Sequence, residues 1–368
     1  MLVLTLLLMG TATALIGLLP TYTQIGIWAP ILLIALRIVQ GFSAGGEWGG
    51  AALMAVEHAP RNRRGLFGAY PQLGVPIGML GASAILTALT IALTPEQFTS
   101  WGWRIPFLLS VALIGVGYLI RRTVDESPVF EELRARRTRS SAPLTELIAR
   151  HRKPVIQCAL IFTGSSAAGY LLIAFLTSYA TRQVGLDRTP VLAVISLAAA
   201  AWIGTTLFGG ALSDRIGRRA AFQLGYLALI VWAVPMFLLI DTGNIWLFAI
   251  AVLPLTVGIG IAYGPMSAMY AEMFPAEVRY SGVSIGYALG AVLGGAFAAL
   301  IAQALIDATQ WSPSVGIYVI VLSLGSLAAV STVTETKGSN LHAGQRDTTD
   351  TTATTTAHPA GATTPHEA

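Results

Sequence analysis

Charge is scarce in this chain. Only 11% of its 368 residues are Asp, Glu, Lys or Arg, where a water-facing domain of this size carries about a quarter. Most of its surface must therefore face something other than water. Cysteine is nearly absent: Cys158 stands alone, which excludes a disulfide framework and any cysteine-based metal cluster. The histidines are His58, His151, His342, His358 and His366, all in loops or the tail, so no apolar run supplies an imidazole base. No HExxH, P-loop or CxxC pattern occurs. Two G-x-S-x-G matches, GFSAG at 41–45 and GVSIG at 282–286, lie inside apolar runs instead of on strand-to-helix turns. Without a histidine partner they do not make a serine hydrolase. The chain reads as a non-enzyme with no cofactor and no metal. Nucleic acid is not expected either, since the basic residues follow another logic.

What the chain has is long apolar runs. Hydrophobic residues make up 54% of it and mean hydropathy is +0.68. Crossing a bilayer core takes roughly 20 mostly apolar helical residues. Ten stretches qualify, near 2–20, 27–56, 65–93, 104–120, 155–181, 190–212, 220–240, 245–273, 282–306 and 313–331. The first lacks the basic start of a secretory signal and reads as a span. With the N-terminus inside, 18 of the 22 Lys and Arg fall on the inner side. They include Arg61, Arg63 and Arg64, nine residues between Arg121 and Lys153, and Arg215, Arg218 and Arg219. That asymmetry is the one cytoplasmic loops show, so both termini are expected in the cytoplasm of a multi-pass protein of the cell (inner) membrane. The expected organisation is an N-terminal bundle over 1–120, a charged cytoplasmic linker over 121–154 and a six-helix bundle over 155–334. A low-complexity tail over 335–368 is expected to be disordered.

An internal repeat is legible. Glu57, Pro60 and Arg64 end the second run and recur 215 positions later as Glu272, Pro275 and Arg279. Two homologous halves are a common transporter plan. The basic loop GGALSDRIGRR at 209–219 has its counterpart, at that offset, before Met1. The expectation is a fold of twelve helices in two pseudo-symmetric bundles, of which about ten (4 + 6) are present, the first two being absent.

Several residues could do chemistry. Arg37 sits about ten residues inside a span, where an unpaired guanidinium costs at least ~2.5–3.5 kcal/mol. It is expected to face the bundle interior, as an anion or coupling site or as half of a structural ion pair. Glu47, ten residues on, could hold and release a proton in a dry bundle, or simply bond a neighbouring helix. Gln72, Tyr170, Tyr263 and Tyr270 are polar positions within spans that could line a cavity. Asp214 with Arg215, Arg218 and Arg219 forms a candidate latch, joined by the repeated Glu57, Arg64, Glu272 and Arg279. Gly41, Gly45, Gly49, Gly286, Gly290 and Gly294 would let helices approach closely.

RIVQGFSAGGEWGG (Arg37, Gln40, Gly41) resembles the Arg-x-x-Gln-Gly motif of helix four in the major facilitator superfamily, and GGALSDRIGRR resembles its loop between helices eight and nine. GGEWGG, VEHAP, PQLGVP, WGWRIPF and DESPVFEEL together resemble the metabolite:proton symporters, carriers of shikimate, dicarboxylates, proline and betaine. The resemblance spans residues 1 to about 335. It implies an all-α membrane fold working by alternating access, as a monomer. It further implies proton-driven symport of a small organic acid or zwitterion, with Arg37 and Gln40 serving coupling or substrate binding and the proton gradient as the energy source. Two alternatives stay open: a transport-inactive truncated membrane protein, and a metabolite or drug exporter. The latter is disfavoured because GVPIG does not match the exporter pattern Gly-Pro-x-x-Gly-Gly.

Overall fold

The computed structural model describes residues 2–122, 147 and 149–341. The expected linker and the tail beyond 341 lie largely outside these. Among the described residues there is no strand. Ten helical segments follow one another close to where the apolar runs predict them. They are α1 (Leu2–Leu18), α2 (Trp28–Glu57), α3 (Arg61–Ala92), α4 (Gly102–Gly117), α5 (Arg152–Arg182), α6 (Arg188–Ile216), α7 (Arg218–Ile240), α8 (Ile245–Met273), α9 (Arg279–Thr309) and α10 (Pro313–Ser331). Eight are long and apolar enough to cross a membrane, α1 and α4 being shorter.

The helices break where the sequence removes backbone donors or adds a residue. α3 passes through a 3₁₀ turn at Pro71–Leu73, since Pro71 has no N–H to give. α5 widens into a π turn at Leu171–Phe175 and α9 into another at Val292–Ala296. Such bulges are rare and cluster at functional places.

The second half, α5–α10, is the denser. In the most apolar window of α5, 78% of residues are buried, against 6% in those of α2 and α3. Its glycines explain part of this. A Cβ on Gly286 would meet the Cβ of Cys158 at 2.6 Å, and one on Gly290 would meet the Ala159 carbonyl at 2.7 Å. α5 and α9 therefore touch backbone to backbone. Gly41 and Gly45, expected to do the same in α2, face open space instead.

The halves meet along α2 and α3 on one side and α6, α8 and α9 on the other. Backbones come close at Gly65 and Gly210, where a Cβ on Gly210 would lie 2.6 Å from the Gly65 carbonyl.

Candidate functional site between the two halves

Two layers of side chains cross this junction. The outer layer is charged. Asp214, in the last turn of α6, accepts the backbone N–H groups of Gly65 and Leu66, each at 2.8 Å. These amides lie in the first turn of the α-helical stretch Arg64–Ala69, where a carboxylate is favoured by the N–H groups and dipole of a helix start. Arg218 Nη1 donates to Asp214 at 2.7 Å, and its Nε and Nη2 donate to Glu272 at 3.2 and 3.3 Å. The Arg218 and Glu272 side chains are fully buried. Gly217 makes the tight turn between α6 and α7 at φ +101°, a region that favours glycine.

The second cross-half tie is Arg279 Nη1 to Glu57 at 3.2 Å. It joins one copy of the repeated Glu-Pro-Arg unit to the other. The reciprocal residues part company: Glu272 is taken by Arg218, while Arg64 Nη1 donates to the Ser339 carbonyl at 2.6 Å. The latch residues read from the sequence are thus assembled here, with one difference. Arg215 is exposed and Arg219 half-buried, and both engage through backbone atoms. The Arg215 carbonyl accepts from Lys337 Nζ and the Arg219 amide donates to Glu335.

Residues 335–341, expected to be disordered tail, instead run across this face. Glu335 accepts the backbone N–H of Arg218 at 2.8 Å, Thr336 donates to Glu272 at 2.9 Å, and the Leu341 carbonyl accepts from Arg279 at 3.0 Å. Their polarity, which reads as solvated tail, meets helix ends and arginines that need acceptors.

The inner layer is aromatic. It lies eight or nine residues along α2, α3, α8 and α9 from the charged one, ~12–13 Å at 1.5 Å per residue. Trp48 of α2 stacks on Tyr287 of α9, centroids 3.8 Å apart and planes within 9°. Phe162 of α5 stacks on Tyr287 at 4.5 Å and 18°. At those separations the two partners cannot share a face, so Tyr287 is sandwiched between them. Tyr270 stands edge-on to Trp48, and Tyr263 and Trp202 extend the row.

Polar atoms hold the rings. Trp48 Nε1 donates to Gln72 Oε1 at 2.9 Å, and the hydroxyls of Tyr263 and Tyr287 lie 3.3 Å apart. The repeat offset explains the pairing: Tyr263 lies 215 positions after Trp48, and Tyr287 lies 215 after Gln72. Each half thus closes an equivalent pair, and the two pairs stack across the junction. Gln72 is fully buried, yet its Nε2 has no acceptor. Such orphans are uncommon and call for an explanation.

Of the expected cavity residues, the structure brings Gln72, Tyr263 and Tyr270 to this layer. Tyr270 is fully buried and donates to the Cys158 carbonyl. Tyr170 is 45% exposed and lies beside Gly295 in the α9 π turn. Glu47 is half-buried. Arg37 departs from expectation. It is exposed, ~16 Å along α2 from Trp48 on the side away from the charged layer. It donates to Gln40 at 3.2 Å, and Gln40 donates to Thr13 of α1 at 2.6 Å. α1 covers one side of α2, while Arg37 and its neighbours Ile34 and Ile38 lie on uncovered surface. Trp48, Tyr287, Phe162 and Trp202 were not expected: aromatic residues in apolar runs look like any other core, and only the repeat offset singles out two of their partners.

The Major Facilitator Superfamily family model matches residues 1–289. The inner membrane metabolite transport protein YhjE of Escherichia coli is 37% identical over 346 residues, 92% of this chain and 78% of that protein. The shikimate transporter of the same organism is 37% identical over 325 residues, 87% of this chain and 74% of that one. Among solved structures, the proton:xylose symporter XylE bound to 6-bromo-6-deoxy-D-glucose superposes with a TM-score of 0.72 at 16% identity, covering 92% of this chain and 80% of that one. XylE in a partially occluded inward-open conformation gives 0.67.

Proposed function

The chain belongs to the Major Facilitator Superfamily as a multi-pass membrane transporter of metabolites, and on that premise we propose that it is a proton-coupled symporter of a small organic acid or zwitterion. The observation behind the reading is the junction itself. Its ties alternate between the halves, Glu57 to Arg279 and Asp214 to the α3 amides, and each can break without unfolding either half. Separation at the charged face would expose the aromatic layer to the side bearing the basic loops, which positive-inside reasoning makes the cytoplasm. The structure would then be the state closed on that side.

The substrate class draws on the relatives, one of which is named for shikimate, and proton coupling draws on XylE, named a proton symporter. Glu47, half-buried beside Trp48, is the proposed proton carrier. Arg37 attracts the anion from the opposite end of α2, its Gln40 and Thr13 contacts tying it to α1. No cofactor is invoked beyond the proton gradient, and both termini are placed in the cytoplasm.

The test is uptake of candidate acids into proteoliposomes with and without an imposed proton gradient. Uptake that follows the gradient supports the reading, and gradient-independent flux overturns the coupling. Arg37→Lys keeps the charge and loses the planar fork, so uptake should fall; unchanged uptake removes Arg37 from the mechanism.

A further inference from the structure

Resting on the transport reading above, the geometry points to a more specific site: we propose that the slot between Trp48 and Tyr287 takes the flat ring of a small aromatic or unsaturated carboxylic acid, whose carboxylate accepts from Gln72 Nε2.

The two rings belong to different halves and face each other in parallel, within 9°. Each is fixed from within its own half, Trp48 by Gln72 and Tyr287 by Tyr263 and the Phe162 face behind it. Parting the halves therefore leaves two parallel aromatic surfaces already held in place. A flat ring between them needs a gap of about 7–8 Å, two contact distances, and restores on each face the stacking lost when the rings separate. Parallel faces suit a plate. A quaternary ammonium is bound best by rings turned towards it from several sides, and here, of the rings next to Trp48, Tyr287 lies parallel and Tyr270 stands edge-on at 6.2 Å.

Gln72 supplies the polar end. The indole N–H can only donate, so the amide oxygen must face it, which leaves Nε2, on the same carbon, close to the edge of the Trp48 ring. That donor is buried without a partner, a condition that costs about 1–3 kcal/mol and is relieved by an acceptor. Ser284 Oγ, one turn from Tyr287 in α9, is likewise buried and unpartnered.

The experiment measures binding of benzoate, cyclohex-1-enecarboxylate, cyclohexanecarboxylate and glycine betaine to the full chain in lipid nanodiscs by tryptophan fluorescence, and uptake of the same four compounds in proteoliposomes. Benzoate, whose ring is planar, should bind about tenfold more tightly than the saturated acid or the betaine, with the half-chair cyclohexene acid between them. Trp48→Phe should keep that preference and Trp48→Leu abolish it. Gln72→Leu should weaken binding of all three carboxylic acids while leaving the ratio of benzoate to the saturated acid. Equal binding of all four compounds, or preference for the betaine, overturns the slot assignment. If the betaine or the saturated acid is taken up with the gradient and benzoate is not favoured, transport stands and the slot falls. If the parent chain binds none of the four, the slot falls too.

Discussion

The charged and aromatic layers hold the same junction by opposite means. In the charged layer almost every contact is directional, and removal of one partner strands another: Arg218 serves both Asp214 and Glu272, with no water to replace it at a fully buried site. In the aromatic layer the stacking is broad and the directional bonds stay within each half. The first design favours making or breaking its contacts together, because a buried ion pair is costly to leave half-made. The second tolerates separation, since parted rings can be satisfied by another flat surface.

Three substitutions would break or sharpen that contrast. Arg218→Leu removes the ion-pair partner of both Asp214 and Glu272, so it should cost about 3–5 kcal/mol, seen as a large drop in unfolding temperature in detergent. A small drop would mean that the layer is not interdependent. Glu57→Gln keeps the shape but removes the cross-half ion pair, while Arg279 retains the Phe274 and Leu341 carbonyls. The expected loss of ~1–2 kcal/mol should appear as roughly 5- to 30-fold faster hydrogen exchange at the Gly65 and Leu66 amides that Asp214 holds. Tyr287→Phe removes one hydroxyl and leaves the stack. It should change stability by about 1 kcal/mol or less and leave exchange at Gly65 and Leu66 unaltered, which would show that the layers act independently.

The spans were legible in the sequence because apolar length is dictated by the bilayer. The latch was legible because charges at helix ends are few and the Glu-Pro-Arg unit repeats. Arg37 was placed at the right depth in its helix but with the wrong surroundings: sequence gives a residue's position along a helix, not which neighbour covers its face. Glu335 and Thr336 read as tail because polar side chains look solvated until their partners, the α7 amides and Glu272, are known. The aromatic layer was legible only in part. Gln72, Tyr263 and Tyr270 stood out as polar groups in apolar runs, whereas Trp48 and Tyr287 did not, although the 215-residue offset links each of them to a residue that did.

Parting of the halves at the charged face can be measured directly. Arg63 and Arg215 are exposed on opposite sides of it, while the native Cys158 is buried. Spin labels at Arg63→Cys and Arg215→Cys allow pulsed electron resonance to read the distance across the face in nanodiscs. Two distance populations are expected, with the longer one growing when Glu57→Gln is added. A single distance, unmoved by that substitution, would contradict it.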